Sequence, residues 1–177
     1  MPPLQRTLVL IKPDAVKRSL IGPVLTKLEE AKLDLIACRL VRVSEILAKE
    51  HYAQHVGKHF FAELIQYITG KIHGAPFDKV LALVYEGENA IQAVRTLAGD
   101  TNPEKAKPAT IRGMFGRITT KGMFENVVHA SATPLEAERE IKLWFKPEEI
   151  LRETYAVKKN GIKVEWERIP AVSELET

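Results

Sequence analysis

The sequence predicts an α+β fold, a single sheet covered by helices in an α/β sandwich. Three observations carry this. Short apolar runs of strand length alternate with helically spaced runs in the order β-α-β-α-β-α-β-α. The 177 residues suit one domain with a sizeable core. No internal repeat, low-complexity stretch or linker divides the chain.

Thr7 to Ile11 is a continuous apolar run, the pattern of a buried strand, and Lys12-Pro13-Asp14 ends it. Helical spacing follows through Val24, Leu25 and Leu28 to about Lys32. Leu33 to Val43 is rich in β-branched and aliphatic residues and predicts a second strand. Ser44 suits the N-cap of a long helical region reaching Ile68, with a break near Gly57. Val80 to Tyr85 predicts a third strand and Glu86-Gly87 a turn. Ala90 to Leu97 predicts a helix stopped by Gly99. Asp100 to Gly122 has no periodicity, and a loop that long inside a domain is usually functional. A strand from Met123 runs into Val128, and a helix follows from Pro134 to about Phe145. Thr133 is its expected N-cap, Pro134 its first position and Glu136 the end of a Thr-x-x-Glu capping box. The tail adds a strand from Gly161 to Trp166 and frays at its end.

The composition, 45% hydrophobic and 28% charged, is that of an ordinary globular protein. A net charge of +3 suits anionic ligands, and no Lys/Arg block is long enough for a nucleic-acid-binding arm. One cysteine, Cys38, excludes an intramolecular disulfide and fits a reducing compartment; its apolar surroundings predict a packed thiol. With no secretory pattern at the N-terminus and no apolar run of membrane-spanning length, a cytoplasmic protein without membrane partners is expected.

The segment Asn126-Val127-Val128-His129-Ala130-Ser131 places an imidazole where a buried strand meets a helix start. A neutral imidazole is a good nucleophile at neutral pH without an activating base. The alternative is a core histidine with satisfied hydrogen bonds. Ala137, Ile141, Trp144 and Phe145 form the buried stripe of the following helix. Glu140 shares a face with Ala137 and Trp144, from which it can reach His129 or Ser131; the alternative is a surface carboxylate. The long loop concentrates hydroxyls and cations in Thr101-Asn102-Pro103 and Lys107-Pro108-Ala109-Thr110-Ile111-Arg112-Gly113. Arg95 and Lys12 can join them in holding an anion. Gly70-Lys71 is no P-loop, since Ile72 follows it and Ile65 stands at the first glycine position; no G-x-G-x-x-G or H-R-D motif exists either. His51, His55 and His59 have a spacing that can hold zinc, but Gly57 interrupts it and no cysteine joins them, so they read as surface histidines.

Together these residues resemble the nucleoside diphosphate kinases. The carrying segments are Thr7 to Val16, His51-Tyr52 with Phe60-Phe61, Thr101-Asn102-Pro103, Lys107-Pro108, Thr110 to Gly113, Asn126 to Ser131, and Glu138-Arg139-Glu140-Ile141 with Trp144-Phe145 and Pro147-Glu148-Glu149. They span about residues 6 to 150. The Asn-x-x-His-x-Ser segment in register with the other blocks is highly specific, whereas no single block is.

The resemblance implies a ferredoxin-like βαββαβ antiparallel sheet with helices on one face, a kinase domain over residues 1–150, and a C-terminal extension, 151–177, packed on it or frayed from it. It implies a homo-oligomer, hexamer or tetramer, that moves the γ-phosphate of a nucleoside triphosphate such as ATP onto a nucleoside diphosphate, with no specific nucleic-acid partner. His129 is the implied phosphorylated nucleophile in a ping-pong reaction, with Glu140 and Ser131 orienting its ring. Lys12, Tyr52, Arg95, Thr101 and Arg112 are the implied phosphate ligands, Asn126 contacts the sugar, and Phe60 stacks on the base. Mg²⁺ would travel on the nucleotide phosphates, in keeping with the absence of a protein-only metal cage. The sequence departs from the family pattern in the stretch Gly70 to Asp78, in His59 where a proline usually precedes Phe60, in Met114 where an Asp is usual, in a longer Gly116 to Phe124 segment, and in the tail beyond Ile150.

Overall fold

The computed structural model describes residues 4–175, so the expected fraying of the last two residues lies outside them. Strand β1 (Leu4–Ile11) leads into two short helices, α1 (Pro13–Lys17) and α2 (Ile21–Leu28). Then come β2 (Asp34–Val41), α3 (Glu45–His51), α4 (Phe61–Ile68), β3 (Val80–Glu88) and α5 (Ala90–Ala98). The chain continues through α6 (Ile111–Phe115), β4 (Arg117–Ile118), β5 (Phe124–Glu125), β6 (Val128–Ala130) and α7 (Pro134–Trp144). A hairpin of β7 (Val157–Asn160) and β8 (Lys163–Trp166) closes it.

The main sheet has the order β2-β3-β1-β6, with every neighbouring pair antiparallel. That is the expected ferredoxin-like arrangement. The unbroken apolar run Leu8 to Ile11 is explained by burial on both faces, because β1 lies in the sheet interior. Leu8 and Leu10 point into one cluster with Ala82, Val84, Ile65, Ile68, Ile141 and Trp144. Val9 and Ile11 point into the other with Leu83, Tyr85, Val24, Leu28 and Val94. The expectation of helices on one face therefore holds for the crossover helices α2 and α5. The opposite face is also covered, by α3, α4 and α7, because a sheet apolar on both sides needs two layers over it.

Other departures have local causes. The expected helix up to Lys32 is broken at Ser19, which adopts φ 57. A fresh start at Ile21 puts Pro23 in a first turn, where its missing N–H costs little. Glu86-Gly87 is not a turn: β3 runs on to Glu88 and pairs with Leu4, Gln5 and Arg6, and Glu86 bonds Arg6 at 2.8 Å. The aperiodic loop holds the short α6, capped by the Thr110 hydroxyl accepting from Gly113 N. The tail strand is one arm of a hairpin, β8 pairing with β7. Cys38 is exposed, since β2 is a sheet edge.

The strand expected from Met123 into Val128 is interrupted. Phe124–Glu125 pair with β4, and the chain turns sharply at Val127 before β6 joins β1. The capping of α7 is as expected at Thr133, whose hydroxyl accepts from Glu136 N at 3.1 Å. The Glu136 carboxylate reaches one residue further back than a capping box, to Ala132 N at 2.7 Å.

Candidate active site

His129 stands on β6, paired opposite Leu10 of β1. Glu140 comes from the inward face of α7 and is fully buried. Its Oε1 lies 2.8 Å from His129 Nε2, off the line of a well-aligned hydrogen bond. Its Oε2 accepts from the Ser131 hydroxyl at 2.6 Å. Ser131 is itself fully buried and its oxygen accepts from Leu8 N at 3.1 Å, which ties the carboxylate to the central strand. Burial raises the Glu140 carboxyl above its ordinary range. Burial, then the positive charge of Lys12, holds His129 well below its ordinary value, so the ring is neutral at neutral pH.

His51 corrects the surface reading: it is fully buried and its ring meets His129 edge-on at 4.5 Å. It comes from the last turn of α3, and its Nδ1 accepts from Trp144 Nε1 at 3.1 Å. His55 stays partly exposed, stacked 6.0 Å from Tyr52, and His59 is exposed, so the three do not share a metal. His51, His129 and Glu140 do converge. The Trp144 N–H occupies the Nδ1 that His51 turns toward Glu140, at 3.7 Å, and so competes with any metal for it.

Cations gather beside this histidine. Lys12 follows β1 directly, and its Nζ donates to Asn126 Oδ1 at 2.7 Å and stands 5.3 Å over the Tyr67 ring. Asn126 Nδ2 donates in turn to the Thr101 carbonyl at 3.0 Å. Arg112, on α6, donates to the carbonyls of Gly99 at 2.6 Å and Val128 at 3.0 Å, stitching the long loop to the histidine strand. Two glycines permit this closure. A Cβ on Gly113 would overlap the Lys107 carbonyl, and one on Gly99, at φ +82, would overlap the Thr110 side chain.

Burial, then the neighbouring Arg112, lowers Lys12 to about 7, while Asp14 pulls the other way. Burial, then Arg95, lowers Arg112 to about 10. Cations buried side by side with little opposing charge suit an anion, and a polyphosphate supplies one. Tyr52 is buried with its hydroxyl unpartnered; Arg95 and Thr101 are exposed at the rim. Phe60, 37% exposed, stands apart from the histidine with His55, His59 and Lys58 around its ring. The structure brings Lys12, Asn126, Arg112, Ser131 and Glu140 together around His129, while Phe60, Arg95 and Thr101 lie on the exposed side. Sequence reasoning missed His51, Tyr67 and Asp14. The signal for Asp14 was its place after Lys12-Pro13; nothing in the pattern of α4 pointed to Tyr67.

Comparison with known proteins identifies the family. Residues 5–150 match the family model described as nucleoside diphosphate kinase. The nucleoside diphosphate kinase of Bacillus licheniformis is 45% identical over 150 residues, 85% of this chain and 94% of the relative. That of Pyrococcus furiosus is 46% identical over 147 residues, 83% and 86% of the two chains. The Borrelia burgdorferi enzyme, solved as a transition-state mimic with vanadate and ADP, superposes with a TM-score of 0.74 at 39% identity, covering 85% of this chain and 92% of that one. The Halobacterium salinarum enzyme in complex with CDP gives a TM-score of 0.74 at 39% identity, covering 84% and 91%. Fold and sequence agree across nearly the whole length of these relatives, and the chain belongs to the nucleoside diphosphate kinase family.

Proposed function

We propose that this chain transfers the γ-phosphate of a nucleoside triphosphate to a nucleoside diphosphate through a phosphorylated His129. The observation that carries the reading is the buried Glu140 carboxylate 2.8 Å from His129 Nε2, beside a cluster of charge-starved cations. An acceptor at Nε2 keeps the ring proton there, which leaves the Nδ1 lone pair for phosphorus. Nδ1 forms the N–P bond as the bond from the γ-phosphorus to the β,γ-bridging oxygen breaks, and the diphosphate leaves with that electron pair. A terminal phosphate oxygen of the second diphosphate then attacks the same phosphorus, and the N–P electrons return to His129. Ser131 holds Glu140 so that the ring is oriented before either step. Lys12, Arg112 and Arg95 offset the charge spread over the transferring phosphoryl oxygens; Tyr52 and Thr101 complete the phosphate contacts. Asn126 presents an amide to the sugar and Phe60 a face to the base. Stacking without base-edge hydrogen bonds tolerates any base.

Mg²⁺ fits this arrangement only through the substrate. The buried groups around His129 are rich in nitrogen, and Mg²⁺ prefers oxygen; the buried carboxylates Asp14 and Glu140 each have one oxygen engaged within the protein. The phosphates would hold the ion, which neutralises charge on their oxygens. Among the described residues no helix is long and apolar enough to cross a membrane.

The test is mass spectrometry after mixing the protein with ATP and Mg²⁺. An acid-labile phosphate is expected on His129 and lost in His129→Ala. Wild-type turnover by that variant would refute the mechanism.

A further inference from the structure

Asn126, Val127 and Val128 form a three-residue turn closed by Val128 N donating to Asn126 O at 2.7 Å. Val127 adopts φ 69 inside it. A β-branched residue is a genuine outlier at positive φ, and such a turn persists only where its surroundings force it. The turn separates two residues with chemistry, Asn126 on one side and His129 on the other. It has two backbone anchors, both in the segment that follows β1. Lys12 N donates to Val127 O at 2.8 Å, and Val127 N donates to Asp14 Oδ2 at 3.1 Å. Asp14 is fully buried on a five-residue helix, and no step of the transfer reaction uses it. A buried carboxylate is costly unless it is paired or hydrogen-bonded, and Asp14 has the Val127 N–H and the charge of Lys12.

We propose that Asp14 is a positioning residue of the phosphoryl-transfer site: its carboxylate holds the Val127 turn and thereby aims Asn126 and His129. The inference rests on the functional reading above, which names those two side chains. Without Asp14 the Val127 N–H is an orphaned buried donor, and the turn loses the anchor that offsets its strain. The backbone then relaxes toward an ordinary extended strand. That rotates Asn126 away from Lys12 and changes the approach of His129 to Glu140.

The same carboxylate has an electrostatic consequence. Its charge favours the protonated form of Lys12, against burial and Arg112. The groups that act on Lys12 or face it are Arg112 from α6, Asp14 from α1, Tyr67 and His51 from α4 and α3, His129 from β6 and Asn126 from the turn before it. Asp14 is the carboxylate that opposes its loss of a proton. Burial, then Asp14, raises the Tyr67 hydroxyl, so these two buried groups lie close.

Two variants separate the roles. Asp14→Asn keeps the size and an acceptor oxygen for Val127 but removes the charge. Its alkaline limb of kcat/KM is expected to move down by about one pH unit, with the Lys12 side-chain titration, followed by NMR, moving equally. Asp14→Ala removes the acceptor as well. Single-turnover phosphorylation of His129 at pH 6.5 is expected to fall at least about ten-fold, the equivalent of one 1.36 kcal/mol step in barrier. Most of the loss should appear in kcat rather than KM, and the Val127 amide should exchange faster than its neighbours. A Val127 amide that exchanges no faster in either variant, or a wild-type phosphorylation rate in Asp14→Ala, would overturn the proposal. The NMR titration reads Asp14 whether or not His129 carries phosphate, and wild-type phosphorylation reads the functional assignment alone. If Asp14→Ala does not fold, the Val127 amide decides in Asp14→Asn, where a neutral acceptor holds it less strongly than a carboxylate and its exchange should be faster.

Discussion

At the scale of single residues, the site is built from side chains whose second task is to hold the backbone. Arg112 is the clearest case, because its guanidinium bonds two carbonyls, on the loop at Gly99 and on the histidine strand at Val128. Lys12 instead holds one side-chain oxygen, that of Asn126. Lys12→Ala and Arg112→Ala should each cost about 1–3 kcal/mol of transition-state stabilisation, read as kcat/KM. The two should differ in rescue. Arg112→Lys restores a charge but not a planar fork that spans two acceptors, so it should stay impaired. Full recovery in Arg112→Lys would show that Arg112 acts as a point charge and that the stitching of the loop is incidental.

At the scale of elements, the helix that carries Glu140 depends on how it begins. The Thr133 hydroxyl satisfies Glu136 N, Pro134 occupies the first position, and Glu136 reaches back to Ala132 N. Thr133→Ala should therefore lower stability by about 1 kcal/mol, measured as a urea midpoint shift without a change in slope. No shift would mean that packing of Ala137, Ile141 and Trp144 places α7 without its cap. This start was legible in the sequence because capping is a local signal, as were Ser44 and Gly99, whose φ is +82. The strand–helix alternation was legible for the same reason. What stayed hidden depends on contacts between distant segments. Val127 reads as strand, and only Lys12 and Asp14, more than a hundred residues away, force its turn. His51 reads as one of three surface histidines until α7 brings Trp144 against it. The second helical layer was hidden likewise, since Leu8 and Val9 look alike in sequence but face opposite clusters.

At the scale of the whole molecule, the site is a reservoir of unfavourable protonation that the fold carries. His129 and His51 take protons well below 6.5 in the folded chain, so in that window mainly the unfolded chain binds them, and stability should rise with pH up to about 6.5. Glu140 works in the opposite sense, because its raised carboxyl binds a proton more readily in the fold; the two histidines outnumber it. Lys12 extends the rise: between about 7 and 10.5 the unfolded chain keeps a proton that the folded chain has released. The unfolding free energy of the nucleotide-free protein should thus still climb on the alkaline side of neutrality. A bound polyphosphate reverses the cause. Placed beside Lys12, its charge restores the protonated amine, so binding near pH 8 should draw protons from solution. Calorimetric titration with a nucleoside diphosphate, repeated in buffers of different ionisation enthalpy, reads that uptake directly. A positive uptake that disappears in Lys12→Met identifies the amine as its source. Equal heats in every buffer would mean that Lys12 is already charged in the free chain, and that the crowding of cations around His129 is relieved before any nucleotide arrives.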